Sequence, residues 1–307
     1  MSKALGLNAA LAAYAVATPM AGCPFQSDTA SARQAPIRVR KAQQNLLALG
    51  QQQARLMFVN AYDHLVSMGR LLGSDGAMSM FAHVTLSRSV CEAAVRHAWL
   101  LDPASSYEER TTRSAAVLFG NVENRLKGAR ESLANLDVRI ANPIIDKCAA
   151  EYEQICRHIS RAGMDLARDR NGKKIVRVEL NNTDVKVPIK LDIGPLVLAL
   201  LPESPGWYTM SSGTAHSGVW MLDSAVVGER GGPELQMTPD FLELASAAET
   251  AISASGLLIN RHATYYGFDP QPYVSKSRQR RAMLDTLMRD QMARQAVNPA
   301  PLVPATQ

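Results

Sequence analysis

Four residues that could do chemistry recur at every fourth position of one segment: Tyr208, Ser212, His216 and Trp220. On a helix this spacing places successive members on nearly one face, so the Ser212 hydroxyl and the His216 imidazole come within reach of each other. An imidazole in a cleft can act as an acid, a base or a hydrogen-bond donor. The pattern therefore predicts a polar pocket with His216 and Ser212 as candidate catalytic residues and with Tyr208 and Trp220 as ligand-binding walls.

The same segment has a purely structural interpretation. Gly213 and Gly218 each cost a helix about 1 kcal/mol relative to alanine, and such glycines often permit the close approach of another helix. His216 would then be a packing residue that hydrogen-bonds within a tight helix contact. A Ser–His hydrolase is disfavoured, because the sequence lacks the G-x-S-x-G pattern and has no third catalytic group nearby.

A second polar set begins with Arg88 and Glu92, four residues apart, and continues after Asp102-Pro103 with Arg110. These side chains could form a charged cluster that faces His216 and binds phosphate or another acidic group. They could equally form ion pairs that hold helices in register. No metal-ligand or phosphate-loop motif accompanies them, so we expect neither a metal nor a cofactor.

These residues must be positioned mainly by helices. Alanine, leucine and methionine are abundant while aromatic residues make up 6% of the chain, and apolar residues recur at steps of three and four. The periodicity predicts an all-α, multi-helix bundle with helices over about 39–49, 51–72, 77–101, 106–136, 143–168, 195–201, 207–227, 238–261 and 275–296. No apolar run is long enough to predict a membrane-spanning helix.

One stretch departs from the helical pattern. Alternating apolar residues on either side of 181–184 predict a small β-hairpin insertion at about 174–190, although Pro188 weakens its second strand. We therefore expect a flexible N-terminal tail over 1–36, which includes a linker over 24–36, a single helical domain over 37–296 and a disordered tail over 297–307. Residues 4–23 loosely resemble a secretion signal ending at Cys23, which leaves that alternative open.

The charge distribution and the cysteines bear on the possible partners and on the cellular compartment. The net charge is +5, and the excess of basic residues lies in the two ends of the chain, where it could attract nucleic acid or could simply coat a solvated helix face. The four cysteines include no C-x-x-C pair and resemble buried thiols of a reducing compartment, so we expect a cytoplasmic protein.

Two segments resemble known proteins. Residues 86–103 together with 109–113 resemble the Arg-Ser-x-x-Glu … Trp-Leu-Leu-Asp-Pro … Glu-Arg-x-x-Arg pattern of uncharacterised bacterial helical proteins, and residues 208–216 resemble their Tyr-x-x-x-Ser-x-x-x-His pattern. The similarity spans roughly 50–260. That group has no established activity to carry over.

A more distant resemblance is to the HEPN-like superfamily of helical ribonucleases and nucleotide-binding domains, whose signature is an arginine, a polar residue and a histidine near the start of a late helix. His216 and Ser212 match the histidine and the polar residue, whereas Ser211 stands where the family has arginine. Arg88 or Arg110 would have to supply that group. The resemblance implies RNA or a nucleotide as partner and, if the protein is an enzyme, a metal-independent ribonuclease.

Two hypotheses follow. The first is a HEPN-like helical protein that binds RNA or a nucleotide through a pocket built from the candidates named above, with a homodimer as one assembly it could form. The second is a non-enzymatic interaction protein in which the same residues only hold helices together.

Overall fold

In the computed structural model the chain is a helical bundle with a small antiparallel sheet, which confirms the predicted fold class. The structure describes residues 19–73, 81–204, 206–216, 226–227, 236–237 and 241–297. Within them the helices are α1 (Pro24–Gln34), α2 (Ile37–Gly73), α3 (Ala82–Leu100), α4 (Tyr107–Ser132), α5 (Val138–Arg161), α6 (Ile193–Leu200), α7 (Trp207–Ala215), α8 (Phe241–Tyr266) and α9 (Gln271–Val297). The strands are β1 (Met164–Arg168), β2 (Ile175–Leu180), β3 (Lys186–Pro188), β4 (Val226–Val227) and β5 (Gln236–Met237).

Helix α2 runs unbroken through Gly50, where the sequence suggested a break. A methyl group on Gly50 would overlap the Cβ and Oγ atoms of Ser114 on α4. Gly50 therefore lets two long helices approach closely, and tertiary packing outweighs its poor helix propensity.

The predicted linker over 24–36 is wrong, because Pro24–Gln34 forms helix α1. Pro24 suits a first helical turn, since its missing N–H would have had no intrahelical partner there. Asp28 and Ala32 of this helix are buried. Segment 24–34 is therefore a packed element of the fold, while residues 1–18 lie outside the described part.

Helix α5 starts earlier and ends earlier than the predicted 143–168. Asp137 caps it by accepting a hydrogen bond from the backbone N–H of Arg139 (2.8 Å), so the helix begins at Val138 and contains Pro143 in its second turn. Gly163, with φ of +74°, turns the chain out of the helix. Residues 164–168 then form strand β1, where the sequence predicted helix.

The predicted hairpin is present and gains a third strand. β2 pairs antiparallel with β3, with Val178 opposite Val187, and β1 pairs on the other edge of β2, with Met164 opposite Leu180. Pro188 ends the edge strand β3, a position that tolerates a residue without an N–H. The sheet packs on α4 and, through β1, on α5.

Two main groups of buried side chains stabilise the bundle. One joins the second half of α2 with α3, α6, α7 and α8, and the other joins the first half of α2 with α4, α5 and the sheet. A 37-residue helix is about 55 Å long, which allows α2 to contribute to both.

Helix α8 lies in the core, packed on α3 and α9. Its segment Leu242–Tyr266 is long and apolar enough to cross a bilayer by length and composition, but 56% of its most apolar stretch is buried inside the protein. That burial is expected of a central core helix.

The prediction of a helix over 207–227 is confirmed for Trp207–Ala215 and is wrong at Val226–Val227, while residues 217–225 lie outside the described part. Helix α7 ends at Ala215, and Val226–Val227 pairs as a short strand with Gln236–Met237. Trp220 lies outside the described residues, so its predicted role as a pocket wall stays a prediction.

Candidate functional site

Helix α7 is anchored by Trp207. The buried indole donates a hydrogen bond from Nε1 to Ser87 Oγ (3.2 Å), and Ser87 in turn donates to the carbonyl oxygen of Ala247 (2.8 Å). This chain of bonds links α7 to α3 and to α8. Gly206 precedes the helix with φ of +78°, a conformation that glycine adopts without strain.

Tyr208, Ser212 and His216 line one open cavity of about 420 Å³. Tyr208 and Ser212 are half-buried, whereas His216 is exposed at the C-terminal end of α7. Across from α7, the start of α6 contributes Gly194 and the carboxylate of Asp192. The four-residue spacing therefore does bring three predicted site residues to one cavity.

Ser212 and His216 are joined through the backbone. The His216 N–H donates to the Ser212 carbonyl oxygen (3.0 Å), which closes the last turn of α7. Among the described residues, no side-chain hydrogen bond connects the Ser212 hydroxyl to the imidazole. Their arrangement can bind a polar ligand, but it is not a preformed nucleophile–base pair of the kind that activates a serine.

Arg88 and Glu92 lie next to the cavity and contact Tyr208. Arg88 Nε pairs with Glu92 Oε1 at 2.9 Å, and the guanidinium carbon lies 5.2 Å from the centre of the Tyr208 ring. Burial and the Glu92 carboxylate raise the pKa of Tyr208, so its hydroxyl is protonated at neutral pH. The ion pair is one of the two alternatives that the sequence left open for these residues. Arg88 does not itself line the cavity but contacts Tyr208, which does.

Arg110 does not line this cavity. Its guanidinium donates to both carboxylate oxygens of Asp28 (2.8 and 2.6 Å) and to the carbonyl oxygens of Asp102 (2.8 Å) and Ser105. The hydroxyl of Tyr265 also donates to Asp28 (2.8 Å). Arg110 is 5% exposed. Its donors are directed to protein groups, so it ties α1 to the bundle.

The Asp28–Arg110 pair also changes the pKa of Arg110. Burial alone would lower the pKa of Arg110, but the hydrogen bond and the negative charge of Asp28 outweigh that effect and raise it. Sequence reasoning missed the pair because its members lie 82 residues apart and because Asp28 lies in a segment that resembles a linker. The one available signal was the lone acidic residue among the basic residues of 1–60.

A buried histidine pair was also missed. His97 Nε2 lies 3.1 Å from His262 Nδ1, and the rings of Phe58 and Tyr266 pack within 5 Å of the His262 ring. Burial, and then the neighbouring imidazole, hold the pKa of His97 well below its usual value. Because both imidazoles are inside the core, they are structural groups and no part of the cavity.

No metal centre was predicted, and the described residues contain no group of three or more histidine, cysteine or acidic side chains that could hold a metal ion. Comparison with known proteins identifies no relative: no family model, no curated protein and no solved structure matches the chain. Function must therefore be argued from the site alone.

Proposed function

We propose that this protein is a HEPN-like helical protein that binds a nucleotide or the exposed end of an RNA in the α7 cavity. The observation that supports the proposal is that Tyr208, Ser212 and His216 line one open cavity. An aromatic face, a hydroxyl and an imidazole are the groups that proteins use to stack a base and to hydrogen-bond the sugar and phosphate.

Each lining group has a distinct task in this proposal. The Tyr208 ring, backed by the Arg88 guanidinium at 5.2 Å, provides a stacking surface for a base. Asp192, an exposed carboxylate on the facing wall, accepts hydrogen bonds from ribose hydroxyls. Ser212 and His216 donate to a phosphate oxygen.

Binding is better supported than catalysis. Metal-independent cleavage of RNA needs a second charged group beside the histidine to stabilise the developing negative charge. Arg88 is paired with Glu92, and Arg110 is bound to Asp28. We therefore propose ligand binding as the function, with cleavage measured in the same experiment.

The test is fluorescence anisotropy of labelled single-stranded RNA and isothermal titration of nucleoside monophosphates, with wild type, Tyr208→Ala and His216→Ala. Loss of one stacking partner should weaken binding about tenfold, since base–aromatic stacking contributes about 1–3 kcal/mol. RNA integrity in the presence of EDTA is followed on a gel. His64→Ala on α2 is the matched control and should leave affinity unchanged.

Two outcomes would reject this proposal. One is the absence of binding to any of these ligands by wild type. The other is binding that neither Tyr208→Ala nor His216→Ala weakens when circular dichroism shows both variants to be folded, because the ligand would then lie elsewhere.

One observation favours a second candidate, a non-enzymatic interaction protein. The Arg88–Glu92 pair and the Tyr208 ring contact each other across α3 and α7, which is how a purely structural polar cluster would be arranged. In that case Tyr208→Ala lowers the urea midpoint of unfolding, and no nucleotide or RNA raises it. We also propose a cytoplasmic location, which is supported by four free thiols, three of them buried.

A further inference from the structure

A second cavity, of about 690 Å³, lies where α1 ends and α2 begins. The first turn of α4, the last turn of α5 and the turn between β2 and β3 form its other walls. None of the site residues predicted from sequence lines it. Its volume lies in the range of sites that bind small molecules.

The floor of this cavity is held rigid by a buried amide. Gln43 donates from Nε2 to the carbonyl oxygen of Ala162 (3.0 Å) and accepts at Oε1 from the hydroxyl of Tyr107 (3.1 Å). Burial raises the pKa of Tyr107 to about 12, so the hydroxyl keeps its proton and remains a donor to Gln43.

The rim carries two exposed arginine side chains. Arg38, in the first turn of α2, and Arg161, at the end of α5, are both exposed, and within the described residues neither has an ion-pair partner. Glu108 is the one carboxylate among the residues that line the cavity. Asn181 and Asn182 add side-chain amides that donate and accept.

Two other arginines of this region are bound to protein groups. Arg110 binds Asp28, and Arg40 donates to the carbonyl oxygen of Ala35 (3.0 Å). Two unpaired guanidinium groups on one cavity favour an anion with several acceptor oxygens, since arginine binds phosphate with paired, charge-assisted hydrogen bonds.

We propose that this cavity binds a small phosphomonoester with a polar, hydroxyl-bearing body, with Arg38 and Arg161 on the phosphate and the amides of Asn181 and Asn182 on the body. A sugar phosphate and a nucleoside monophosphate share that chemistry. The site is separate from the α7 cavity and does not rest on the function proposed for it.

The experiment is isothermal titration of the full-length protein with inorganic phosphate, ribose 5-phosphate, adenosine monophosphate and adenosine, at fixed ionic strength. All titrations, including that of adenosine, are done with the Tyr208→Ala/His216→Ala double variant, so that a nucleotide or nucleoside bound in the α7 cavity contributes little. The variants added to this background are Arg38→Gln, Arg161→Gln and Arg161→Glu. Arg139→Gln, on the first turn of α5 with its side chain 91% exposed, is the matched control.

Ribose 5-phosphate or adenosine monophosphate should bind more tightly than inorganic phosphate, and adenosine should not bind. Each arginine-to-glutamine change should weaken binding about tenfold, as expected for loss of a charge-assisted hydrogen bond, and Arg161→Glu should abolish it. Preference for one of the two phosphomonoesters identifies the source of the phosphate.

The proposal is overturned if no phosphorylated ligand binds, or if binding persists undiminished in Arg161→Glu. Equal binding of adenosine would also overturn it, because the phosphate would then contribute nothing. The variants change exposed side chains, so circular dichroism should show them folded like the wild type.

Discussion

Replacing Gly50 with alanine should destabilise the protein, although alanine is the better helix former. On helix propensity alone the change would stabilise α2 by about 1 kcal/mol. The new methyl group, however, would overlap Cβ and Oγ of Ser114. A rotation of the Ser114 side chain could move Oγ, but Cβ is fixed to the backbone and cannot move without it. Helices α2 and α4 would have to separate, and overpacking of this kind costs about 1–3 kcal/mol. The two effects together give a net loss of up to about 2 kcal/mol.

A second substitution tests the cause. Ser114→Gly removes both overlapping atoms and leaves the Ser114 Cα 3.2 Å from the new methyl group, a contact that a shift of a few tenths of an ångström relieves. Ser114→Gly alone should cost about 0.5–1 kcal/mol through poorer helix propensity. In the double variant the propensity gain at position 50 offsets this cost, so it should unfold close to the wild type, with a coupling energy of about 1–3 kcal/mol between the two sites.

The assay is urea unfolding followed by circular dichroism at 222 nm. Gly128→Ala is the matched control, since Gly128 is also inside a helix but a methyl group there would meet nothing within 4 Å. That change should stabilise the protein by about 0.5–1 kcal/mol. If Gly50→Ala stabilises to the same extent, or if the two substitutions are additive, the argument from close helix packing is refuted.

Three further predictions concern two buried side chains and one helix-capping residue. Asp28→Ala should lower the free energy of unfolding by about 3–5 kcal/mol because it leaves Arg110 buried without its carboxylate, whereas a loss below 1 kcal/mol in urea unfolding would contradict that account. The urea midpoint should fall between pH 7 and pH 5, because His97 takes up a proton below pH 6.5 when the chain is unfolded but not when the ring is buried beside His262. His97→Gln should flatten this dependence of stability on pH by up to about 1.4 kcal/mol per pH unit. A pH profile that this substitution leaves unchanged would exclude His97 as the cause. Ser106→Ala should cost about 1 kcal/mol in the same assay, since the Ser106 hydroxyl caps α4, and a neutral effect would show that the cap contributes nothing.

The sequence predicted best those elements whose signals are local. Ser106 caps α4 by accepting a hydrogen bond from the Glu109 N–H, and the turn at 181–184 connects β2 to β3. The three residues at four-residue spacing on α7 share a cavity because a helix imposes that arrangement. Hydrogen bonds and side-chain spacing within a few residues decide all of these features.

Errors arose where distant contacts decide the structure. Residues 24–34 are polar enough to resemble a linker, yet they form a helix held by the bond from Tyr265 to Asp28, across 237 positions. The apolar spacing that predicted helix through Leu166 fits a strand equally well, and only Gly163 indicated the change. The 690 Å³ cavity combines four separated segments, so no local pattern could have revealed it.

The central position of α8 has a consequence for how the chain is made. Helices α2 and α3 leave the ribosome long before α8, yet both bury apolar side chains against α8. His97 of α3 and its partner His262 of α8, for example, are 165 residues apart in the sequence. Until the C-terminal quarter emerges, the nascent chain exposes an incomplete core, a state prone to aggregation. The part of the fold made of α4, α5 and the sheet consists largely of segments that are neighbours in sequence, so it can form first. During synthesis we therefore expect this part to fold before α8 and α9 are available to complete the other core.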